Sequence, residues 1–340
     1  MKKVKTNLFK NKTILITGGT GSFGGYFVKE ILKQDPQMVT VFSRDEDKQY
    51  SMQYDLSKYK NKLKFVIGDV RDKISLEKAL SEKTDYLIHA AALKQIPSSE
   101  YNVFEIVKTN VIGAQNVVDA AIANGVSRVL SISTDKAVEP INVMGMTKGL
   151  QERIFTLGNK AGKKSGTSFA SVRYGNVVAS RGSIIPLFLK QIALGRPLTV
   201  TDKRMTRFIL TLDQATKLVF TALEKMRGGE IFVPNIKPLN VYDLAVAMVD
   251  ELKPKNKKIL EIGIRPGEKL HETLISPIES IRTIEKKDYF IILPQIDLSD
   301  IGFSYKALTH KAKEFRYSSD LGVLMAIKEI KSLLRSQNIF

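Results

Sequence analysis

The chain has 340 residues, 43% of them hydrophobic and 26% charged, with a formal net charge of +18. It carries no cysteine, which excludes disulfides, thiolate metal sites and a cysteine nucleophile, and no apolar run approaches the roughly eighteen residues of a membrane span. The lysines are spread along the sequence among acids rather than gathered in a stripe interleaved with aromatics, so the excess charge is read as a solvated surface suited to anionic small molecules, not as a nucleic-acid face.

The basic opening MKKVKTNLFKNK precedes no signal-type apolar segment, so a cytoplasmic protein is expected. Thr13 to Thr17 reads as a buried strand running into Gly18-Gly19-Thr20-Gly21-Ser22-Phe23-Gly24 and then a helix with Tyr26, Phe27, Ile31 and Leu32. In that context the glycines have separate roles. Gly18 permits the tight turn, Gly21 the approach of backbone to a pyrophosphate, and Gly24 the packing of helix on strand. The helix N-terminus offers free N–H groups and a positive dipole end to the phosphates. A second strand, Met38 to Phe42, ends in Ser43-Arg44-Asp45-Glu46-Asp47-Lys48. An NAD site usually places an acid first at this strand end; here a hydroxyl and a guanidinium come first, and Ser43, Arg44 and Lys48 suit a ribose 2′-phosphate, so NADP is favoured over NAD.

Leu63 to Ile67 is a third strand, followed by Asp69, placed for an adenine amino group, and Val70, placed against the ring. Asp85 to Ala92 is a fourth, whose small residues, Ala90 among them, admit a cofactor to the backbone, with Lys94 next to meet a phosphate. His89 lies in this strand and is read as core; His271 and His310 share no metal-ligand spacing with it, and no metal is expected. Asn110 is expected on a helix behind the site, and Gly125 at a helix end. A fifth strand, Ser127 to Ile132, surfaces at Ser133-Thr134-Asp135-Lys136, where a hydroxyl, a carboxylate and an amine stand side by side; a proline loop and a helix carrying Lys148 follow.

Ser168 to Tyr174 is a further strand, ahead of Asn176 and Val177. Strands and helices alternate throughout, which predicts an α/β fold with a doubly wound parallel sheet and ligands at the strands' carboxyl ends. Residues 1–177 are assigned to the dinucleotide-binding domain. Residues 178–340 are assigned mainly to a smaller, interleaved α/β lid domain for substrate, with some segments returning to the first. Arg265-Pro266-Gly267-Glu268-Lys269 is expected in a loop before a short helix, and an amphipathic packing helix from about Leu321 to Leu334.

The strings TGGTGSFG, SRDEDK, GDVRD, HAAALKQIP, STDKAVEP, MGMTK, RYGNV and RPGEKLHE resemble the extended short-chain dehydrogenase/reductase superfamily, with its Rossmann-type sheet. Within it, the chain is similar to the inverting UDP-N-acetylglucosamine 4,6-dehydratases of polysaccharide and flagellin-sugar synthesis, over most of residues 10–280. The resemblance places NADP on Gly18, Thr20, Gly21, Ser22, Phe23, Gly24, Ser43, Arg44, Asp45, Lys48, Asp69, Val70, Ala90, Lys94, Lys148 and Val177. It places the nucleotide sugar near Lys94, Asn176, Thr199, Arg265 and Glu268, with Arg181, Arg204 and Arg207 as weaker phosphate contacts. Homo-oligomers, dimer or hexamer, are implied; no membrane partner is.

The implied chemistry has three steps: hydride leaves C4 of the sugar, C5 loses a proton as the C6 hydroxyl departs as water, and the hydride returns to C6. Asp135 is then the acid for the C6 hydroxyl and Lys136 the base at C5, which requires a lowered amine pKa. The superfamily's usual tyrosine, four residues before the lysine, is replaced by Met144. Lys136 relayed through Thr134 is expected to take over its role at C4, with Lys148 on the nicotinamide ribose. The rival readings are a UDP-sugar C4 or C5 epimerase using the same cofactor, and a non-catalytic NADP-binding regulator in which Met144 marks lost catalysis.

Overall fold

The computed structural model describes residues 7–80, 83–178, 180–298 and 314–340. His310 and residues 1–6 of the basic opening lie outside the described residues. Six strands form the centre of the main sheet: β1 (Thr13–Thr17), β2 (Met38–Ser43), β3 (Leu63–Ile67), β4 (Tyr86–His89), β5 (Arg128–Thr134) and β6 (Ser168–Tyr174). Their spatial order is β3-β2-β1-β4-β5-β6, all parallel. The order reverses between β1 and β4, which opens a crevice at their carboxyl ends.

Period-two alternation sends each strand's side chains to two cores. Ile14, Ile16, Ile88 and Leu130 meet Phe27 and Ile31 of the first helix, Ser22–Leu32, and Val219 and Leu223 of the helix Leu212–Lys225. Leu15, Leu87 and Val129 face the opposite way, onto Leu76, Val117 and Phe155. Helices therefore cover both faces, as a doubly wound sheet requires.

The sheet is doubly wound and mostly parallel, as expected, with an antiparallel edge added. Ile231–Pro234 extends it in parallel beside β6, and then Tyr289–Ile292 and Thr283–Glu285 add two strands, each antiparallel to its neighbour. A short hairpin link joins the last two, Thr283–Glu285 and Tyr289–Ile292, whereas a parallel pair needs a long crossover. Other segments beyond residue 177 form a third core, in which Ile185, Phe188 and Leu198 pack with Leu244, Met248, Ile330 and Leu334. The last helix runs Ile327–Arg335, shorter than expected, because the preceding chain spends a backbone bond on Pro238 (Met325 N to Pro238 O, 2.8 Å). Ile330 and Leu334 are buried, so its apolar stripe is used in packing. No helix among the described residues is long and apolar enough to cross a membrane.

Asn110 sits in a π-helical turn, Lys108–Ile112, rather than a regular helix. Its side chain reads the backbone of Leu93 twice: Oδ1 accepts from Leu93 N and Nδ2 donates to Leu93 O, both at 2.9 Å. Nδ2 also reaches Thr147 Oγ1 at 3.1 Å. The loop bearing Lys94 is thereby fixed to the long helix Val143–Gly162.

Candidate active site

A cleft of about 880 Å3 opens at the carboxyl ends of β1, β4, β5 and β6. Gly18, Gly21, Ser22, Phe23, Gly24, Ala90, Lys94, Thr134, Lys136, Met144, Lys148, Asn176, Val177, Thr199, Arg265 and Glu268 all line it. The glycine turn is tight: Gly18 has φ +67°, and a Cβ on Gly24 would lie 2.4 Å from Gly18 O. No side chain caps the first helix, whose N-terminus faces the cleft with its N–H groups free. A pyrophosphate fits this cradle. Asn176 adds a buried Oδ1 with no hydrogen-bond partner, as a residue awaiting a ligand would.

The adenosine side differs from expectation. Ser43 is buried, its Oγ 3.1 Å from both Thr20 Oγ1 and Gln49 Nε2, so its hydroxyl turns inward rather than towards a 2′-phosphate. Lys48 is ion-paired with Asp45, the N-cap of the next helix. Arg44 stays half exposed, 3.6 Å from Asp69. Burial alone would raise the Asp69 carboxyl, but hydrogen bonds from Arg71 hold it below the ordinary range. Val70 is 4% exposed and packs in the core against Gly113, so it offers a ring no side-chain face. Arg204 is tied to Asp202 on the surface, away from the lining; Arg181 and Arg207 do line the cleft.

β5 delivers the central group. Asp135 is fully buried and Lys136 nearly so, with Lys136 Nζ 2.9 Å from Asp135 Oδ1. Thr134 Oγ1 donates to the same Oδ1 at 2.9 Å, so Thr134 serves Asp135 and not, as expected, the Lys136 amine. A second carboxylate closes on the ammonium: Glu272 Oε1 lies 3.1 Å from Lys136 Nζ. Burial alone would lower the Lys136 ammonium, but Asp135 and Glu272 outweigh it and hold it above the usual lysine range. The expectation of a resting neutral Lys136 is therefore corrected; the cause is the second carboxylate. Lys148 is the depressed amine. Burial brings it down to about 7, against the pull of Glu152, while Nζ donates to Ile132 O (2.6 Å) and Gln151 Oε1 (2.7 Å). Met144 stands one turn earlier, buried in the same wall.

The long helix starts where Asn142 Oδ1 accepts from Gly145 N. Gly145 is obligatory there: a Cβ would lie 2.2 Å from Lys136 O. Gly145→Ala is expected to destabilise the fold by about 1–3 kcal/mol in urea unfolding, through overpacking, and to lower turnover by displacing the Asp135–Lys136 backbone. Loss of neither would mean that this contact relaxes freely.

The sequence profile of the polysaccharide biosynthesis protein family matches residues 14–294. The chain belongs to that family. It is 45% identical, over 321 residues, to the UDP-N-acetylglucosamine 4,6-dehydratase (inverting) of Campylobacter jejuni subsp. jejuni serotype O:23/36 (strain 81-176), covering 92% of this chain and 94% of that protein. It is 41% identical over 338 residues to the UDP-glucose 4-epimerase of Rickettsia canadensis (strain McKiel), covering 97% of each. The X-ray structure of Pen from Bacillus thuringiensis superposes with a TM-score of 0.90 at 39% identity, covering 98% of this chain and 99% of that one.

In this member of the polysaccharide biosynthesis protein family, the loop with Arg265 and Glu268 leads into a strand, Thr273–Ile275, before the short helix Pro277–Ser280. The loop is stitched to the β5 exit: Asn142 Nδ2 donates to Gly267 O and Lys269 Nζ to Val138 O, both at 2.7 Å. Sequence reasoning missed Glu272 and Lys269. Both stand in the string RPGEKLHE, but nothing local marks Glu272 as facing a lysine so far upstream. His89 is core as expected: burial drives it down to about 3, and Nδ1 meets Thr17 Oγ1 at 2.8 Å.

Proposed function

We propose that the chain is an inverting nucleotide-sugar 4,6-dehydratase that converts UDP-N-acetylglucosamine to a UDP-4-keto-6-deoxy sugar. The observation that carries this reading is the buried Asp135–Lys136 pair, joined at 2.9 Å on the cleft wall. The names of the Campylobacter relatives point the same way. The cradle of Gly18 to Gly24, Ala90 and Val177 would hold a nicotinamide dinucleotide, and Lys94, Asn176, Thr199, Arg265 and Glu268 the nucleotide sugar. When bound, the dinucleotide supplies hydride uptake at C4 and hydride return at C6.

Lys148, half neutral near pH 7, takes the proton from the C4 hydroxyl in place of the tyrosine that Met144 replaces. The 4-ketone then acidifies C5–H. Lys136 passes its proton to Asp135 Oδ1, and Asp135 passes it to the departing C6 oxygen, as Nζ takes the C5 proton. The pair thus ends with the proton count it began with. Solvent reprotonates C5 on the opposite face, which gives inversion, and Lys148 returns the C4 proton to solvent. Residues 1–177 serve mainly the dinucleotide and residues 178–340 mainly the sugar. The assembly is a homo-oligomer, dimer or hexamer; exposed Phe104, Met146, Leu150 and Leu157 favour self-association.

NADP is the proposed form of the cofactor, and Arg44, half exposed at the end of β2, is the residue that supports it. Arg44→Ala is expected to weaken NADP roughly ten- to hundredfold, the loss of a charged hydrogen bond, and to leave NAD within about threefold. Titration calorimetry with both nucleotides checks this, and equal losses would remove Arg44 from that role. The second reading, an epimerase, is favoured by the Rickettsia relatives' names. Incubation with UDP- and dTDP-sugars in deuterated water decides between them. Mass loss of one water with deuterium at C5 marks the dehydratase; an intact C6 hydroxyl marks the epimerase.

A further inference from the structure

Lys136 Nζ is held from two sides. Asp135 Oδ1 comes from its own strand end, and Glu272 Oε1 from the far loop, 3.1 Å away. Glu272 is 1% exposed and its position is over-determined by backbone: its N–H donates to Ser319 Oγ at 2.9 Å, and its C=O accepts from Ser319 N at 2.8 Å. Its Oε2 is buried with no partner, as is Asp135 Oδ2. Leaving two buried carboxylate oxygens without a protein partner is costly for the fold. The arrangement makes sense for handling protons, not for stability.

We propose that Glu272 is a positioning residue for Lys136: its carboxylate keeps the shared proton on the Asp135–Lys136 pair, so that the pair meets the sugar already loaded. The pair is active with one proton. With none, nothing protonates the departing C6 oxygen; with two, nothing accepts from C5. Glu272 raises the pH at which that one proton is lost. The other charges facing the cluster are Arg207, with Nε 4.0 Å from Glu272 Oε1, Glu268, 3.8 Å from Arg207, and the lysines Lys94 and Lys269. The cations push the proton off; Glu272 opposes them in direct contact with Lys136, while Glu268 from the same loop sits against Arg207. The loop carrying Arg265 and Glu268 thus also sets the charge of the base, which ties substrate recognition to readiness for proton transfer.

This role rests on the dehydratase reading, but its test does not depend on it alone. Trace acetylation of Lys136 with acetic anhydride, read by mass spectrometry across pH, reports the neutral amine directly. Glu272→Gln keeps the shape and a hydrogen-bond acceptor but removes the charge. It is expected to shift the Lys136 labelling curve to lower pH by at least about one unit, a tenfold rise in neutral amine at a given pH. The alkaline limb of kcat moves down by the same amount, with KM within about threefold. Glu272→Asp moves both curves in the same direction by less, and stands in should the Gln variant fold poorly. Superimposable labelling curves, or a kcat loss equal at every pH, would overturn the proposal. If the wild type removes no water from any UDP-sugar, the function reading fails, while the labelling curves still decide what Glu272 does to Lys136.

Discussion

Lys136→Ala is expected to lower formation of the 4-keto-6-deoxy sugar at least about 10²- to 10⁴-fold, the range for removing a positioned acid–base group. The substitution removes the only cation within hydrogen-bond reach of Asp135 Oδ1 among the described residues, and leaves Glu272 Oε1 with Arg207 Nε at 4.0 Å. Lys148 is untouched, so oxidation at C4 survives. A single-turnover experiment should show the reduced-cofactor absorbance rising and persisting, without water loss. KM for the sugar should move little, because Lys94, Asn176, Thr199, Arg265 and Glu268 line the cleft independently. Near wild-type formation of the 4-keto-6-deoxy sugar, with loss of water, would defeat the assignment of Lys136. Failure of the absorbance to rise would defeat Lys148 as the first base instead.

Arg173→Met is expected to cost about 3–5 kcal/mol of stability, the typical loss when one partner of a buried ion pair is removed. Arg173 is 2% exposed in β6 and holds three things together. Nη2 reaches Glu152 Oε2 at 2.7 Å and Glu279 Oε1 at 2.8 Å, and Nη1 reaches Leu274 O at 2.9 Å. Burial alone would raise the Glu279 carboxyl, yet Arg173 holds it down to about 2. In the wild type this contribution is full above the unfolded carboxyl pKa of about 4.3 and fades only as pH falls through about 2. In the variant burial raises the Glu279 carboxyl instead, so the folded state binds more protons than the unfolded state, and acid relieves the defect. The deficit in urea unfolding should be smaller near pH 5 than near pH 8. Activity should fall too, since Ser133 Oγ donates to Glu152 Oε1 at 2.6 Å, directly before Thr134 and Asp135. A deficit below about 1 kcal/mol, flat with pH, would show that the network is not a charged one.

Local pattern was enough for the strands that carry the site. Thr13 to Thr17 and Leu63 to Ile67 are apolar runs stopped by glycine, and both strands end where those runs end. The glycine turn was legible because Gly18 and Gly24 act within a few residues of each other. Ser43 was not: its hydroxyl turns inward because Gln49, on the next helix, also reaches the carbonyls of Ser43 and Val66 and seals the strand end. Val70 was misplaced for a similar reason, since Gly113 on a distant helix leaves room for its side chain in the core. The charge of Lys136 could not be read from its neighbours in sequence. Asp135 alone is one partner, and the second arrives from the other end of the chain. Proton chemistry depends on the sum of charges around a group, so it is the least local property of the site.

The sheet's far edge has a consequence for biosynthesis. β6 is flanked on its outer side by Ile231–Pro234, and that strand in turn by Tyr289–Ile292. A nascent chain that has emerged only as far as β6 presents a bare, apolar ladder to every other molecule around it. The residues proposed to hold the dinucleotide are translated early but cannot be sheltered until the last third of the polypeptide follows. Truncation after residue 177 should therefore yield an insoluble fragment rather than a minimal nucleotide-binding unit, and a ribosome stalled there would become a client for chaperones.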